Sequence, residues 1–239
     1  RAAVNDSFDD YIDKYYRYWK RLIPNRDIAK VFHPIWKDVR HVQTRDIFYD
    51  VFKKHEHNLS SPADYINHSL YFEAKTFLHG LLVIEDKISM AYSLETRVPF
   101  LDNDLVDFAQ KVPVSLKLRN LNKVARIDEN EPGKEHKYFE KTNDGKIILR
   151  KVMERYIPAS VTNAEKQGFS APDASWFKGD SIDYVKRTLC SPNSRIYDFF
   201  DPGAVGTLVS EHLEGKVNRR LLLWSLLIFE RTLEQFFRS

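Results

Sequence analysis

Two short stretches of this chain carry residue types that could do chemistry. The first reads Glu85-Asp86-Lys87-Ile88-Ser89-Met90-Ala91-Tyr92-Ser93-Leu94-Glu95-Thr96-Arg97-Val98-Pro99-Phe100-Leu101-Asp102. Pro99 disfavours the α region for Val98 and pushes it into an extended conformation. Residues two apart in extended chain point the same way. Glu95 and Arg97 are therefore expected on one side, and Thr96, Val98 and Phe100 on the other. A carboxylate beside a guanidinium on rigid backbone can orient a polar substrate. The same pair can anchor the chain between two helices as a structural ion pair, and spacing alone favours that anchor.

The second stretch reads Asn163-Ala164-Glu165-Lys166-Gln167-Gly168-Phe169-Ser170-Ala171-Pro172, followed by Trp176. Gly168 and Pro172 mark a loop, and Gly168 lets backbone approach a ligand closely. Lys166, just before it, is a point charge suited to phosphate oxygens. On residue type alone a solvated surface lysine is the commoner reading. Other patterns are weaker. His55-Glu56-His57 lacks the four-residue spacing that places two histidines on one helix face, and the eight histidines show no ligand spacing, so no metal site is assigned. Arg17-Tyr18-Trp19-Lys20-Arg21 mixes basic and aromatic residues as single-strand binders do. Its aromatics fall on an apolar helical stripe, however, which favours core packing. Asn-x-Ser occurs at Asn5, Asn58 and Asn67, a pattern short enough to arise by chance. No Gly-rich phosphate loop, GxSxG elbow or GxGxxG fingerprint is present.

The elements that would position these residues are helical. Phe8, Tyr11, Ile12, Tyr15, Tyr18, Trp19 and Leu22 recur at the spacing of an amphipathic helix, with Ser7 as its cap and Pro24 beyond its end. A shorter helix over Thr44 to Lys53 places Ile47, Phe48, Val51 and Phe52 together. Ser61-Pro62 opens a helix expected to run to about Val83. Asp102 or Asn103 caps Leu105 to Gln110, and Lys146 to Tyr156 is helical by pattern. Asp201-Pro202 opens another helix, with Gly215 where a left-handed C-cap belongs. The last helix, Asn218 to Phe237, presents Leu221, Trp224, Leu227, Ile228, Leu233 and Phe236 as its buried stripe. Only short runs such as Val112 to Leu118 alternate, too few for a sheet. Asn120 to Asp144 is a long polar excursion between helices, which reads as a functional or flexible loop.

The 239 residues suffice for a substantial core. Lys+Arg 37 against Asp+Glu 34 leaves a formal charge of +3, so a nucleic-acid or membrane-surface role would need a local patch. Cys190 is the single cysteine, which excludes an internal disulfide and a cysteine-based zinc cage and suits a reducing compartment. No apolar run approaches the roughly 20 residues that cross a bilayer, and no signal-peptide pattern opens the chain. The first residue is Arg1 rather than Met, which suggests a fragment with some of its chemistry upstream.

Together the segments resemble the synthetase domain of glutamine-hydrolysing asparagine synthetases. The resemblance begins at Asp86-Lys87-x-Ser89-Met90-Ala91 and Ser93-Leu94-Glu95-x-Arg97-Val98-Pro99-Phe100-Leu101-Asp102. It continues through Leu105-Val106-x-Phe108-Ala109, Pro113, Lys146-Ile147-Ile148-Leu149-Arg150, Ile157-Pro158 and Lys166-Gln167-Gly168-Phe169, with Pro172 and Trp176. It closes at Glu211-His212 and Leu223-Trp224-Ser225-Leu226-Leu227-x-Phe229-Glu230, so most of residues 60 to 239 take part.

The resemblance implies a mainly α piece, the helical C-terminal half of an α/β adenine-nucleotide alpha hydrolase-like (ATP pyrophosphatase) synthetase domain. It divides the chain into a helical lead-in over 1–60, substrate-site helices over 61–119, the excursion over 120–145 and a C-terminal part over 146–239. In such enzymes ATP adenylates a carboxylate, aspartate for the namesake reaction, and ammonia from a glutaminase domain displaces AMP. Lys166 is implied to contact phosphate oxygens as pyrophosphate leaves, which reverses the surface reading of that lysine. Asp86, Glu95 and Arg97 become candidates for the floor of the substrate or nucleotide pocket. Lys146 and Arg150, one turn apart, are candidates for the same cleft, and Gly168 for nucleotide contact. ATP is implied, with Mg²⁺ whose ligands are expected upstream of residue 1. The partners implied are a small carboxylate and ATP, with no nucleic acid or membrane. A cytoplasmic location and compatibility with a homodimer complete the picture.

The family's SGGxDS pyrophosphate loop, its SGxGxDE segment and its N-terminal cysteine domain are not in the chain and are expected upstream. The chain as given is therefore expected to be inactive alone. Phe77-Leu78-His79-Gly80 stands where many members have Pro-Asp after an aromatic-Leu pair, which puts aspartate as substrate in doubt. Two alternatives stay open: an intramolecular amide-closing synthetase of the β-lactam or peptide-cyclase type, and a non-catalytic helical partner-binding domain.

Overall fold

The structure, a computed structural model, describes residues 7–19, 22–54, 58–121, 145–164 and 180–237. The described helices are α1 Phe8–Trp19, α2 Asn25–Val31, α3 Trp36–Val39, α4 Thr44–Asp50, α5 Pro62–Glu73, α6 His79–Ala91 and α7 Asn103–Lys111. They continue with α8 Val114–Lys117, α9 Ile147–Met153, α10 Ala159–Thr162, α11 Asp180–Leu189, α12 Pro202–Leu213 and α13 Arg220–Phe236. Among the described residues there is no strand; an isolated antiparallel bridge joins Leu118 to Gly145. The mainly α reading holds. Val112 to Leu118, whose alternation suggested extended chain, instead contains the helical turn α8, opened by Pro113.

Local chemistry starts several of these helices. At α1 the Ser7 hydroxyl donates to Asp10 (2.7 Å) and accepts from the Asp10 amide (3.1 Å), while the Ser7 amide donates back to the Asp10 carboxylate (3.1 Å). Ser61 and Asp64 form the same reciprocal box at α5, with Pro62 at the first helical position. That helix does not stop near Val83. It widens into a π-helical turn over Ala74–Leu78 and runs on as α6 to Ala91, so Asp86 to Ala91 lie on helix.

The chain divides into two compact units, Arg1–Arg17 with Arg45–Gln167 and Tyr18–Thr44 with Gly168–Ser239. The first has an aromatic core. Tyr11, Ile12 and Tyr15 of α1 are buried, as are Phe48 of α4, Phe52 just beyond it, and His68 and Phe72 of α5. Their rings meet edge-on or stacked, Tyr15 with Phe72 at 5.4 Å and Phe52 with Phe72 at 5.6 Å, arrangements the ring quadrupoles favour. Arg45 ties α4 to α1 through Asp13 (2.5 Å) and Asp9 (3.3 Å). Ile47, expected with the buried face of α4, is 59% exposed.

The second unit has an aliphatic core built by α11, α12 and α13 with Val31 and Ile196; Leu189, Ile196, Val205 and Leu223 are completely enclosed. On α13 the buried face is Leu222, Leu223, Leu226, Leu227, Glu230 and Leu233. Of the stripe expected from spacing only Leu227 and Leu233 belong to it, while Leu221, Trp224, Ile228 and Phe236 are exposed. The sequence Leu-Leu-Leu-Trp-Ser-Leu-Leu-Ile-Phe is apolar nearly all round, so periodicity could not select a face. Glu230, enclosed in this core, accepts from the amides of Arg195 (3.0 Å) and Ile196 (2.8 Å). The Arg195 guanidinium donates to the carbonyls of Leu233 (2.8 Å) and Phe237 (2.6 Å).

Candidate functional site

Five of the seven residues singled out from sequence lie among the described residues, all in the first unit. Lys166 and Gly168 lie outside them, as do His55, Glu56 and His57 and most of the polar excursion.

The Glu95 segment is set by the way α6 ends. The Leu94 amide donates to the Ser89 carbonyl (2.9 Å) and the Ser93 amide to the Met90 carbonyl (3.0 Å). This pair of bonds closes a helix over a left-handed residue. That residue is Ser93, at φ 57°. Ser89, buried below, donates its hydroxyl to the carbonyls of Glu85 (2.7 Å) and Asp86 (3.2 Å). Residues 94–98 then run without regular structure until Pro99 opens a 3-10 turn. Asp102 caps α7 by accepting from the amides of Asp104 (3.1 Å) and Leu105 (3.2 Å).

On this segment Arg97 donates to Glu95 at 2.8 Å, with the side chains 82% and 70% exposed. The two residues do face the same way, as the spacing implied. Exposed ion pairs contribute only about 0.2–1 kcal/mol, so this one anchors little and stays accessible to a ligand. Asp86 is exposed on α6. Around these charges the surface is apolar: Ile84, Ile88, Tyr92, Leu94 and Phe100 are each more than half exposed.

Lys146 and Arg150 belong to a second constellation. The backbone bridge from Leu118 pins Gly145, and α8 packs against both α5 and α9. Lys146 is not the first residue of a helix, as the pattern suggested, but its left-handed cap at φ 58° and ψ 36°. Its side chain is exposed. Arg150 turns its guanidinium to backbone. Nε donates to the Gly145 carbonyl (3.2 Å), and one terminal nitrogen donates to the carbonyls of Thr162 and Ala164 (3.2 Å to the latter). On α8, partial burial holds the Lys117 ammonium below its ordinary value. Sequence reasoning assigned no structural role to Ser89 and Ser93, although both stand in the quoted motif, and did not single out Lys117 or Thr162. For Ser89 and Ser93 the helix-ending turn left a faint signal, a serine where glycine is usual; for Lys117 and Thr162 burial decided, and nothing local announces burial.

Among the described residues no group of His, Cys, Asp and Glu could hold a metal ion, and no helix is long and apolar enough to cross a membrane. What the geometry defines is a helical domain that presents an exposed acid–base pair and an exposed lysine on a pinned backbone.

The asparagine synthase family model matches residues 7–234, and the chain belongs to that family. It is 30% identical over 204 residues to asparagine synthetase [glutamine-hydrolyzing] 1 of Bacillus subtilis, a match covering 84% of this chain and 28% of the relative. A Mycobacterium bovis protein provisionally named a glutamine-hydrolysing asparagine synthetase is 28% identical, over 85% of this chain and 26% of its own length. The amidase ChyE of Penicillium rubens is 29% identical over 59% of this chain and 19% of its own length. The chain thus spans little more than a quarter of the bacterial relatives it matches. No solved structure matches it significantly.

Proposed function

We propose that this chain is part of an ATP-dependent synthetase that converts a carboxylate to an amide through an acyl-adenylate. The family match across residues 7–234 carries the reading. In the first step a carboxylate oxygen attacks the α-phosphorus of ATP and the bond to the pyrophosphate oxygen breaks. Ammonia then attacks the acyl carbon, AMP leaves with the electrons of its C–O bond, and the nitrogen loses a proton.

On this reading Lys166 steadies the departing pyrophosphate, where charge accumulates and a preplaced cation helps most. Glu95 and Arg97, paired yet open to solvent, grip the polar groups of the acid, with Asp86 on the adjoining helix. Lys146, with Gly168, serves the nucleotide phosphates. The relatives' names support glutamine as the source of ammonia, through a glutaminase domain upstream. Mg²⁺ would accompany ATP with ligands from upstream of residue 1, since among the described residues no group of His, Cys, Asp and Glu could hold it. His79-Gly80, on α6, supports an acid other than aspartate. The reading places the enzyme in the cytoplasm and is compatible with a homodimer.

Isotope exchange between pyrophosphate and ATP, measured on the protein that carries this chain with a panel of carboxylic acids, tests the proposal. Exchange with at least one acid is expected, and Lys166→Ala should lower kcat about a hundredfold or more with little change in KM. Absence of exchange with every acid overturns the reading in favour of a partner-binding domain. Unchanged turnover in Lys166→Ala removes the lysine from it.

A further inference from the structure

Arg150 was a candidate for direct contact with nucleotide, and the structure gives its guanidinium a different set of partners. Three carbonyls accept from it: Gly145 on one side, Thr162 and Ala164 on the other. Thr162 is 4% exposed, which shields that acceptor from water, while the bond to Ala164 lies at the exposed edge. Gly145 is held from a second direction by the bridge to Leu118. The residue between the clasped glycine and α9 is Lys146, in a left-handed conformation that a side chain with a Cβ adopts at a cost. Such a conformation persists where its surroundings over-determine it. Here the surroundings are the Arg150–Gly145 bond, the Leu118 bridge and the Arg150 amide, which donates to the Lys146 carbonyl at 2.9 Å. The outcome is an ammonium group on exposed side chain with its backbone fixed on both sides.

We propose that Arg150 is a positioning residue that holds Lys146 toward the phosphates of ATP and does not itself touch them; this rests on the ATP-dependent reading above. A guanidinium suits the task because it is a rigid fork with two different nitrogens engaged. Lysine keeps the charge but offers a single nitrogen, which cannot occupy both positions.

The test is a double-mutant cycle read as KM for ATP in pyrophosphate exchange, on the protein that carries this chain. Lys146→Ala should raise KM about tenfold, Arg150→Lys should raise it by a similar factor with kcat little changed, and the double variant should be no worse than either. A double variant near a hundredfold, the product of the two, means Arg150 contacts the nucleotide itself and overturns the proposal. So does an unchanged KM in Lys146→Ala, which leaves the synthetase reading standing as long as exchange persists. A structural readout needs no activity. In Arg150→Lys the amides of Asn163 and Ala164, which donate to Ala159 and Val161 (2.9 and 3.2 Å), should exchange hydrogen at least about tenfold faster. Exchange at the parent rate overturns the clasp. Loss of pyrophosphate exchange in the parent overturns the functional reading and, with it, the role of Lys146, while the hydrogen-exchange result still decides the clasp.

Discussion

The helices α12 and α13 each enclose one apolar face in the core of the second unit, whereas α6 and α7 present most of their large apolar side chains to solvent. In the second unit Val205, Val209 and Leu223 are at most 1% exposed. In the first, Ile84 and Ile88 are both 59% exposed and Phe108 is 56% exposed, and Ser89 is the buried residue of α6. Aliphatic packing is what fixes the second unit, and the first is fixed by its aromatic cluster and by capping bonds at the turns. The residues with the strongest chemical potential, Asp86, Glu95 and Arg97, lie on the part of the first unit whose side chains contribute least to its own folding. On the proposed function, changes at these three residues should alter activity at little cost in stability.

The contrast can be broken most sharply at Leu223. Leu223→Ala should cost about 3 kcal/mol through the cavity left in a closed core, whereas Ile88→Ala should change stability by less than about 0.5 kcal/mol. Urea unfolding followed by residue-resolved NMR reports each unit separately, and equal costs at the two positions would erase the distinction. Glu230→Ala comes next. It leaves two amides without their acceptor, that of Ile196 in the buried core, and should cost about 2–3 kcal/mol in the same measurement. A near-zero cost would mean that the carboxylate does not hold the turn at Arg195–Asp198.

A smaller gain is expected from Ser93→Gly, which relieves the left-handed backbone after α6. Net stabilisation of the first unit should be about 0.5 kcal/mol once the extra freedom of glycine in the unfolded chain is counted. Destabilisation would show that the serine side chain makes a contribution the backbone does not reveal.

Alkaline pH should separate the units by sign, with the smallest effect. In the second unit burial raises the Cys190 thiol above its ordinary 9.0, opposed by Lys186, although the residue keeps an exposed surface. Burial likewise raises the Tyr197 phenol above 10.0, followed by the effects of Cys190 and Glu230. The unfolded chain then releases these protons first, so their contribution is intact below about pH 9 and is lost as pH rises through the folded-state values. In the first unit the Lys117 pKa is depressed below 10.5 by burial. That group disfavours folding while charged and stops doing so as pH climbs toward 10.5. Stability measured for each unit from pH 8 to 11 should fall in one and be supported in the other; parallel slopes would refute the assignment.

Much of the fold was legible where its causes are local. Ser7 with Asp10, Ser61 with Pro62, Asp102, Asp201 with Pro202 and the left-handed Gly215 at φ 74° all do what their residue types imply. The Glu95–Arg97 pairing was legible for the same reason, since it needs only extended backbone and a two-residue spacing. The end of α6 was misjudged because a π-helical turn carries the chain past a point where the pattern weakens. The short helices α2, α3, α8 and α10 left too little periodicity to be read, whereas α11, ten residues long and amphipathic, was missed.

The sequence by itself determined where the capped helices α1, α5, α7 and α12 begin, that Glu95 and Arg97 share a side, and which family the motifs point to. Tertiary structure alone decided which face of α13 is buried, that Glu230 serves amides 34 and 35 residues away, and that the Arg150 guanidinium donates to the carbonyls of Gly145, Thr162 and Ala164. The physical reason is range: a cap or an alternation is complete within a few residues, but burial and a guanidinium's choice of acceptors depend on segments that come together only on folding.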